Sequence, residues 1–342
     1  MRFGLFGGAS AKAAVTSDSQ IYGEFIDYIV EAEELGFESV FLVEHHFTGM
    51  AQVSATLTFL SYLAARTKRM RLGTAVTVLP WHNPVLLAEQ AATVDLVSGG
   101  RLDLGIGRGY RYTEFAGFCM PIDEAGERYD EGLEVIKKAW TSKERFSHHG
   151  KRWHFENVIV EPPPVQKPHP PLWVGAGSER SIRQAAENGF NLLLDQFGPP
   201  DVTGGRVAAY RQALEAGGRR FDPMSVGVTR ALHLAMNQRE REWAYEMRAK
   251  FLLNVHQLST NPNAPSPSVA LPTSFADTRV ATEQAALIGK PDEIIARVKA
   301  LEAVGVEYLL LLDVTGSIDA LRVFAREVMP AFAQKRREPQ PA

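Results

Sequence analysis

Residues 40–48 read Val40-Phe41-Leu42-Val43-Glu44-His45-His46-Phe47-Thr48. Four apolar side chains stop abruptly at an acid and two adjacent histidines. Parallel strands that are covered on both faces have unbroken apolar runs of this kind, and barrels of parallel strands carry their chemistry where the strands end. The stretch therefore predicts a buried strand whose carboxyl-terminal end opens into a polar site.

Segments of the same character recur along the chain and alternate with helical ones. The predicted strands are residues 2–6, 37–43, 70–79, 101–107, 172–176, 190–194, 225–235 and 306–312. Asp18 is predicted to cap the first helix, and the last helix is predicted at residues 318–333. Eight strand–helix units predict an α/β fold closed into a (β/α)8 TIM barrel, and a doubly wound sheet is the alternative.

Two segments interrupt this alternation. Residues 146–160 alternate between apolar and polar, which predicts an insertion hairpin before strand 5. Residues 256–277 are rich in Pro, Asn, Ser and Thr, and a structureless segment of this length is usually functional or disordered, so a long mobile loop is predicted after strand 7. The charged, proline-rich residues 335–342 are predicted to be a disordered tail, which leaves residues 1–334 as a single domain.

The bulk composition limits the partners of the chain. The 342 residues carry a formal net charge of −3, which lacks the basic footprint of a nucleic-acid-binding protein. The single cysteine, Cys119, excludes an internal disulfide and a cysteine-rich zinc site. The sequence shows neither the roughly 18 uninterrupted apolar residues of a membrane span nor the features of a signal peptide. We therefore expect a cytoplasmic protein with neither a nucleic acid nor a membrane partner.

Polar groups collect at the predicted strand ends, which face one rim of a barrel. The groups are Glu44-His45-His46, Arg108, the run from Gly175 to Ser178, Asp195-Gln196, and Asp313. Their convergence predicts a single site at that rim.

A candidate phosphate site lies between the fifth strand and its helix. Gly177 allows the backbone to approach a ligand closely, and a helix N-terminus presents free N–H groups to an anion. Ser178 and Ser181 add hydroxyl donors. The alternative is that Ser178 only caps the helix.

Arg108 is a second candidate phosphate ligand, because it follows Gly105-Ile106-Gly107 and a guanidinium binds phosphate through parallel hydrogen bonds. The alternative is an ion pair with a nearby carboxylate such as Glu114. The run is not a dinucleotide-binding fingerprint, because Tyr110 stands where the third glycine belongs.

His45 and His46 are the candidate catalytic residues. A metal site would need further ligands, and the other histidines do not have a zinc spacing, so no metal is predicted. The functional interpretation is a neutral general acid or base, or a hydrogen-bond donor. The structural alternative is that one histidine is buried and paired while the other is solvated.

Five motifs follow one another in the first third of the chain. They are Glu44-His45-His46-Phe47-Thr48, Leu72-Gly73-Thr74-Ala75-Val76-Thr77-Val78-Leu79-Pro80, Asn83-Pro84, Ser98-Gly99-Gly100-Arg101 and Gly105-Ile106-Gly107-Arg108-Gly109. In these motifs the chain resembles the bacterial luciferase-like, flavin-dependent monooxygenase family. The proline-rich approach to Leu172-Trp173-Val174-Gly175 and the strand after Gly305 extend the resemblance to nearly the whole chain.

The resemblance implies a barrel that binds FMN as FMNH2, which a separate flavin reductase supplies. It implies that O2 is activated through a flavin C4a-(hydro)peroxide and that a small organic, apolar substrate is oxidised. His45 matches the catalytic histidine of the family. The residues that match its flavin-binding positions are Ala75, Val76, Arg108, Gly177, Ser178, Ser181 and Gln196. Among them, Ala75 and Val76 match a pair that is joined by a non-proline cis peptide under the flavin ring.

The resemblance further implies a homodimer formed through the second and third helices, and a lid at residues 256–277. Gly107 stands where luciferase catalytic subunits carry a reactive cysteine, so that thiol chemistry is absent and no light emission is predicted. Two alternatives remain, an F420-dependent oxidoreductase on the same barrel and a non-catalytic flavin-binding subunit. His45 together with Arg108 favours the monooxygenase.

Overall fold

Parallel strands close into a barrel in the computed structural model, which describes residues 1–9, 17–48, 53–263, 274–314 and 316–333. The strands are β1 (Arg2–Gly7), β2 (Ser39–Leu42), β3 (Arg71–Thr74), β4 (Thr77–Val78), β5 (Leu102–Gly107), β6 (Phe146–His149), β7 (His154–Val158), β8 (Leu172–Gly175), β9 (Asn191–Leu194), β10 (Val226–Leu234), β11 (Leu287–Gly289) and β12 (Tyr308–Asp313). The order β1-β2-β3-β5-β8-β9-β10-β12 returns to β1, because β1 pairs with β12 and β9 pairs with β10. The predicted (β/α)8 TIM barrel is therefore confirmed.

Helices surround the barrel. They are α1 (Asp18–Glu34), α2 (Thr56–Arg66), α3 (Pro84–Val97), α4 (Tyr112–Gly117), α5 (Ala125–Thr141), α6 (Glu179–Glu187), α7 (Pro200–Ala216), α8 (Gln238–Ser259), α9 (Phe275–Ala285), α10 (Pro291–Ala303) and α11 (Ile318–Val323). Local sequence sets where they begin, as α3 illustrates. The Asn83 side chain accepts hydrogen bonds from the N–H groups of Val85 and Leu86, and Pro84 lacks only an N–H that the first turn does not use. None of the described helices combines the length and the hydropathy needed to cross a membrane.

Strand β2 shows how the core is built on both sides of the barrel wall. Successive side chains of a strand point to opposite faces, so Val40 and Leu42 pack outward in the layer shared with the helices. Phe41 points into the barrel, where its ring lies 5.3 Å from that of Trp173, which in turn lies 6.1 Å from Tyr308. Because both faces are buried, the strand carries an uninterrupted apolar run. The inner aromatic layer closes the barrel beneath the carboxyl-terminal rim.

The predicted hairpin before strand 5 is confirmed as the antiparallel pair β6 and β7. The predicted third strand is divided, because β3 ends before the cis peptide between Ala75 and Val76 and β4 begins after it. The cap of α1 was predicted wrongly: Ser17 has the extended backbone of an N-cap, and its side chain accepts the N–H of Gln20. Asp18 is instead the first helical residue.

The predicted irregular segment contains more secondary structure than expected. Helix α8 continues to Ser259, α9 begins at Phe275, and β11 adds to the carboxyl-terminal half of β10. A strand of three residues is too short to show a periodicity. Residues 264–273 of the predicted mobile loop and the predicted tail at 335–342 lie outside the described residues. The last predicted helix ends early at Val323, and a π-helical turn and a 3-10 turn follow it.

Candidate active site

Glu44 connects the end of β2 to the turn after β4. It is 3% exposed, and its Oε1 lies 2.8 Å from Nε2 of His82 and 3.1 Å from Nε2 of His46. Its Oε2 accepts the backbone N–H of Val78 at 3.3 Å. Burial raises the pKa of Glu44, but the hydrogen bonds of the two histidines outweigh that effect and hold the pKa below its ordinary value. The group is therefore a carboxylate at neutral pH.

His45 is paired with a buried carboxylate from α4. Its Nδ1 lies 3.1 Å from Oε1 of Glu114, and the same oxygen accepts the backbone N–H of His46 at 2.9 Å. Burial lowers the pKa of His45 and outweighs the hydrogen bond to Glu114, while the positive charge of Arg111 lowers the pKa further. The ring is therefore neutral at pH 7. A neutral ring that donates Nδ1–H to Glu114 carries its lone pair on Nε2.

His46 belongs to the wall of the rim. Its Nε2 faces Glu44, and its ring lies edge-on to Trp81 at 5.3 Å and to Phe118 at 4.9 Å. This is the environment of a partly buried, paired histidine. Of the two histidines, His45 thus remains the candidate catalytic residue.

Ala75 and Val76 lie at the bottom of the rim. The peptide between them is cis, as the resemblance implies, and both residues pack on the aromatic layer inside the barrel. Gly107 lies against Val76: a Cβ atom on Gly107 would stand 2.4 Å from Cγ2 of Val76. The side chain of Val76 packs this closely on the backbone of β5 because residue 107 has no side chain.

Arg108 stands beside the loop that leads into α6. Strands β5 and β8 pair with Ile106 opposite Val174, so Arg108, which directly follows β5, leaves the barrel at the same edge as the loop that follows β8. The guanidinium of Arg108 is exposed and makes no hydrogen bond or ion pair with the described part of the chain. The alternative ion pair with Glu114 is not present, because Glu114 is engaged by His45 and lies 3.9 Å from Arg111.

Ser178 and Ser181 form a capping box at the start of α6. The Oγ of Ser178 accepts the N–H of Ser181 at 3.2 Å, and the Oγ of Ser181 accepts the N–H of Ser178 at 3.1 Å. The capping alternative is therefore realised. It leaves the N–H groups of the first two helical residues, Glu179 and Arg180, without intrahelical partners on an exposed turn. Gly177 precedes this turn and is exposed as well, so the helix start remains open to an anion.

Gln196 follows β9 at the same rim, and hydrogen bonds hold the backbone on either side of it. Arg230, which is fully buried, donates to the carbonyl of Asp195 at 3.1 Å and to that of Gly198 at 2.9 Å. The side chain of Asp195 pairs with Arg206 at 2.8 Å. The Oε1 of Gln196 is buried without a hydrogen-bond partner.

Sequence reasoning missed three residues of this rim. Arg111 and the pairing of Glu114 with His45 are tertiary features, since 69 residues separate the two members of that pair. Arg230 did leave a signal, because a charged residue inside the apolar run of β10 needs buried partners.

Unpaired polar atoms concentrate at the rim. Eight buried side-chain nitrogen or oxygen atoms of the described residues lack a hydrogen-bond partner, and five of them belong to Thr77, Trp81, Arg111 and Gln196. These residues lie at or just beyond the carboxyl ends of barrel strands. Buried polar groups are nearly always paired, so the concentration indicates a ligand site. Within the described ranges, no group of three or more His, Cys, Asp or Glu side chains could hold a metal ion.

Comparison with known proteins identifies the family of the chain. The family model described as luciferase-like monooxygenase matches residues 1–308. The oxygenase component of a flavin-dependent trigonelline monooxygenase from Acinetobacter baylyi is 28% identical over 98% of this chain and 97% of its own. An FMNH2-dependent dimethylsulfone monooxygenase from Pseudomonas putida is 27% identical over 90% of this chain and 87% of its own. The solved structure of the monooxygenase RslO1 from Streptomyces bottropensis matches with a TM-score of 0.83 at 28% identity, covering 97% of this chain and 100% of that one. The chain therefore belongs to the luciferase-like monooxygenase family.

Proposed function

We propose that this chain is the oxygenase component of an FMNH2-dependent monooxygenase that oxidises a small organic substrate with O2. The observation that carries the proposal is the pairing of β5 with β8, because the carboxyl ends of these neighbouring strands lead to the unpaired Arg108 and to the exposed start of α6. A cation and free helix N–H groups at one place are the chemistry that binds a phosphate. The neutral, partly buried His45 lies at the same rim.

The residues present fit FMN. Arg108 and the turn from Gly177 to Ser181 would hold its phosphate, and Ala75 with Val76 would support the ring from below. The unpaired, buried Oε1 of Gln196 offers an acceptor to a donor on the ring. Reduced FMN, when bound, supplies the electrons that activate O2.

His45 is the proton-handling group of this proposal. Glu114 fixes the orientation of the imidazole through Nδ1, so Nε2 is left to accept a proton or a hydrogen bond at the rim. Because burial keeps the pKa below the ordinary value, the ring is a base rather than a cation at neutral pH. The aromatic rings of Trp81, Phe115 and Phe118 form an apolar wall around the neighbouring His46, which suits an apolar part of the substrate.

The proposal also includes a reductase partner, a homodimeric assembly and a cellular location. The relative named an oxygenase component supports a separate reductase that supplies FMNH2. A homodimer is supported by the exposed apolar side chains Tyr62 on α2 and Leu86 and Val97 on α3. We place the enzyme in the cytoplasm, because its free cysteine, Cys119, fits a reducing compartment.

Replacing Arg108 tests the cofactor assignment. We expect Arg108→Ala to weaken FMN binding by about tenfold or more, which is the loss of one charge-assisted phosphate contact, and to leave riboflavin binding nearly unchanged. Both affinities can be measured by flavin fluorescence titration. The exposed Arg183→Ala in α6 serves as the control, because its side chain pairs with Glu179. Equal losses for FMN and riboflavin would rule out the phosphate role of Arg108.

A further inference from the structure

Arg248 on α8 is a buried arginine without a hydrogen-bonding or ionic partner among the described residues. The residue is 3% exposed, and its guanidinium carbon lies 5.1 Å from the ring centre of Phe251 and 6.0 Å from that of Phe197. Burial lowers the pKa of Arg248 to about 9, so it still carries its charge at neutral pH. A buried charge that lacks a partner opposes folding. Such a group is expected where a ligand completes it.

Helix α8 carries this charge to the rim. The helix starts just after β10, and near its other end the carbonyl of Leu258 accepts a hydrogen bond from Oγ1 of Thr113 at 3.2 Å. Thr113 lies in α4, which follows β5. Arg248 lies on the buried face of α8 together with Leu252 and Val255. Its contact with Phe197 places it next to the loop that holds the unpaired Gln196.

Arg111 is a second buried arginine with unpaired nitrogens at the same rim. It is 3% exposed, and neither its Nε nor one of its terminal nitrogens has a hydrogen-bond partner. One terminal nitrogen of Arg111 forms an ion pair with Glu114 at 3.9 Å, a distance that is too long for a hydrogen bond, so the pair leaves the N–H donors of Arg111 unsatisfied. Arg111 therefore presents N–H donors close to the candidate catalytic histidine.

We propose that Arg111 and Arg248 make the substrate pocket selective for an organic anion, a carboxylate carried on an apolar or aromatic body. A guanidinium matches the two oxygens of a carboxylate through parallel hydrogen bonds. The aromatic side chains beside both arginines suit the apolar body. Arg108 and the start of α6 already provide for the FMN phosphate, so these two cations are available to the substrate. This inference rests on the proposed function for the identity of the rim as the substrate pocket.

The test measures binding rather than turnover. Calorimetric titrations compare benzoate with benzamide, and phenylacetate with phenylacetamide, because each pair differs in charge and hardly in shape. The protein is titrated with and without oxidised FMN in a low-chloride buffer. We expect the carboxylates to bind about tenfold or more tightly than the amides. Equal binding within both pairs, or no detectable carboxylate binding, would overturn the proposal.

Variants assign the preference to the arginines. Arg248→Met and Arg111→Met should each remove most of the carboxylate preference. Arg239→Met, on the exposed side of the same helix, should keep it. Because an unpaired buried charge is removed, Arg248→Met should also raise the melting temperature. A lower melting temperature with the carboxylate preference intact would show that Arg248 is structural.

Two further outcomes separate this inference from the proposed function. If Arg248→Met weakened FMN but not riboflavin, Arg248 would belong to the cofactor phosphate and the inference would fail, while the flavin assignment would stand. If reduced FMN did not bind or react, the monooxygenase proposal would fail. The carboxylate titration of flavin-free protein would then still decide the role of the arginines.

Discussion

At the scale of single residues, burial and neighbouring charges set the protonation states of the titratable side chains at the rim. His45 is neutral because desolvation and the charge of Arg111 together outweigh Glu114. Glu44 is ionised because two histidines outweigh its desolvation. The same polar segment at the end of β2 therefore holds an acid in its charged form and a histidine in its neutral form.

The pKa of His45 gives a pH prediction. Its folded-state pKa lies below the unfolded value of 6.5, so the unfolded chain takes up this proton first as the pH falls. The contribution of His45 to stability is thus constant well above pH 6.5 and decreases as the pH falls from 6.5 through the folded-state pKa. The activity that needs neutral His45 should have its acidic midpoint below 6.5. A midpoint above 6.5 would contradict this assignment.

Arg111→Met isolates one cause of that shift. Removing the positive charge should raise the pKa of His45, which a histidine NMR titration measures, while Arg239→Met leaves it unchanged. An unchanged pKa in Arg111→Met would show that the charge of Arg111 does not contribute to the shift.

Sequence reasoning selected His45 and Arg108 as candidates because each ends an apolar run or a glycine-rich strand. It could not select Arg111 and Arg248, because their burial and lack of hydrogen-bond partners depend on what lies opposite them in space. Arg248 stands in a helix with many charged residues, and nothing in its neighbours along the chain distinguishes it from exposed Arg239.

At the scale of elements, the bottom of the rim is shaped by the place where β5 packs closely against the break between β3 and β4. The strand periodicity predicted one continuous third strand. It did not predict the break, since Ala75 and Val76 are both acceptable in a strand. Only the resemblance indicated a special peptide there. The extra elements α9 and β11 were missed for a related reason, because short segments next to proline-rich sequence carry little periodic signal.

Gly107→Ala tests the packing of that approach. The new methyl group would meet Cγ2 of Val76 at 2.4 Å, and Val76 is stiff because it is β-branched. We expect a loss of about 1–3 kcal/mol in the free energy of unfolding, measured by urea denaturation. The double variant Gly107→Ala and Val76→Ala should recover most of the lost free energy of unfolding. Gly126→Ala in α5, where a Cβ atom meets nothing within 4 Å, should instead stabilise by about 0.5–1 kcal/mol.

At the scale of the whole molecule, the alternation of eight apolar strands with helices was sufficient to predict the barrel. The same alternation predicted the rim, because parallel strands all end on one side. It could not predict how α8 runs from the end of β10 to α4, since that path depends on contacts between distant segments.

The apolar outer faces of α2 and α3 give a prediction about assembly. Leu86 is 55% exposed and Val97 is 53% exposed, and exposed apolar patches of this kind mark interfaces. We expect the double variant Leu86→Asp and Val97→Asp to convert a dimer to monomer in light-scattering chromatography. Val202→Asp on α7, at 42% exposure, is the control. A wild-type monomer would contradict the prediction.

The reaction with reduced cofactors tests the central claim most directly. Purified protein is titrated under nitrogen with reduced FMN and, separately, with reduced F420, and each mixture is then exposed to air while the absorbance is followed. We predict saturable binding of reduced FMN and, after oxygen enters, a long-lived absorbance that differs from those of both free reduced and free oxidised FMN. Tight binding of reduced F420 with no affinity for reduced FMN would contradict the account and identify an F420-dependent oxidoreductase instead.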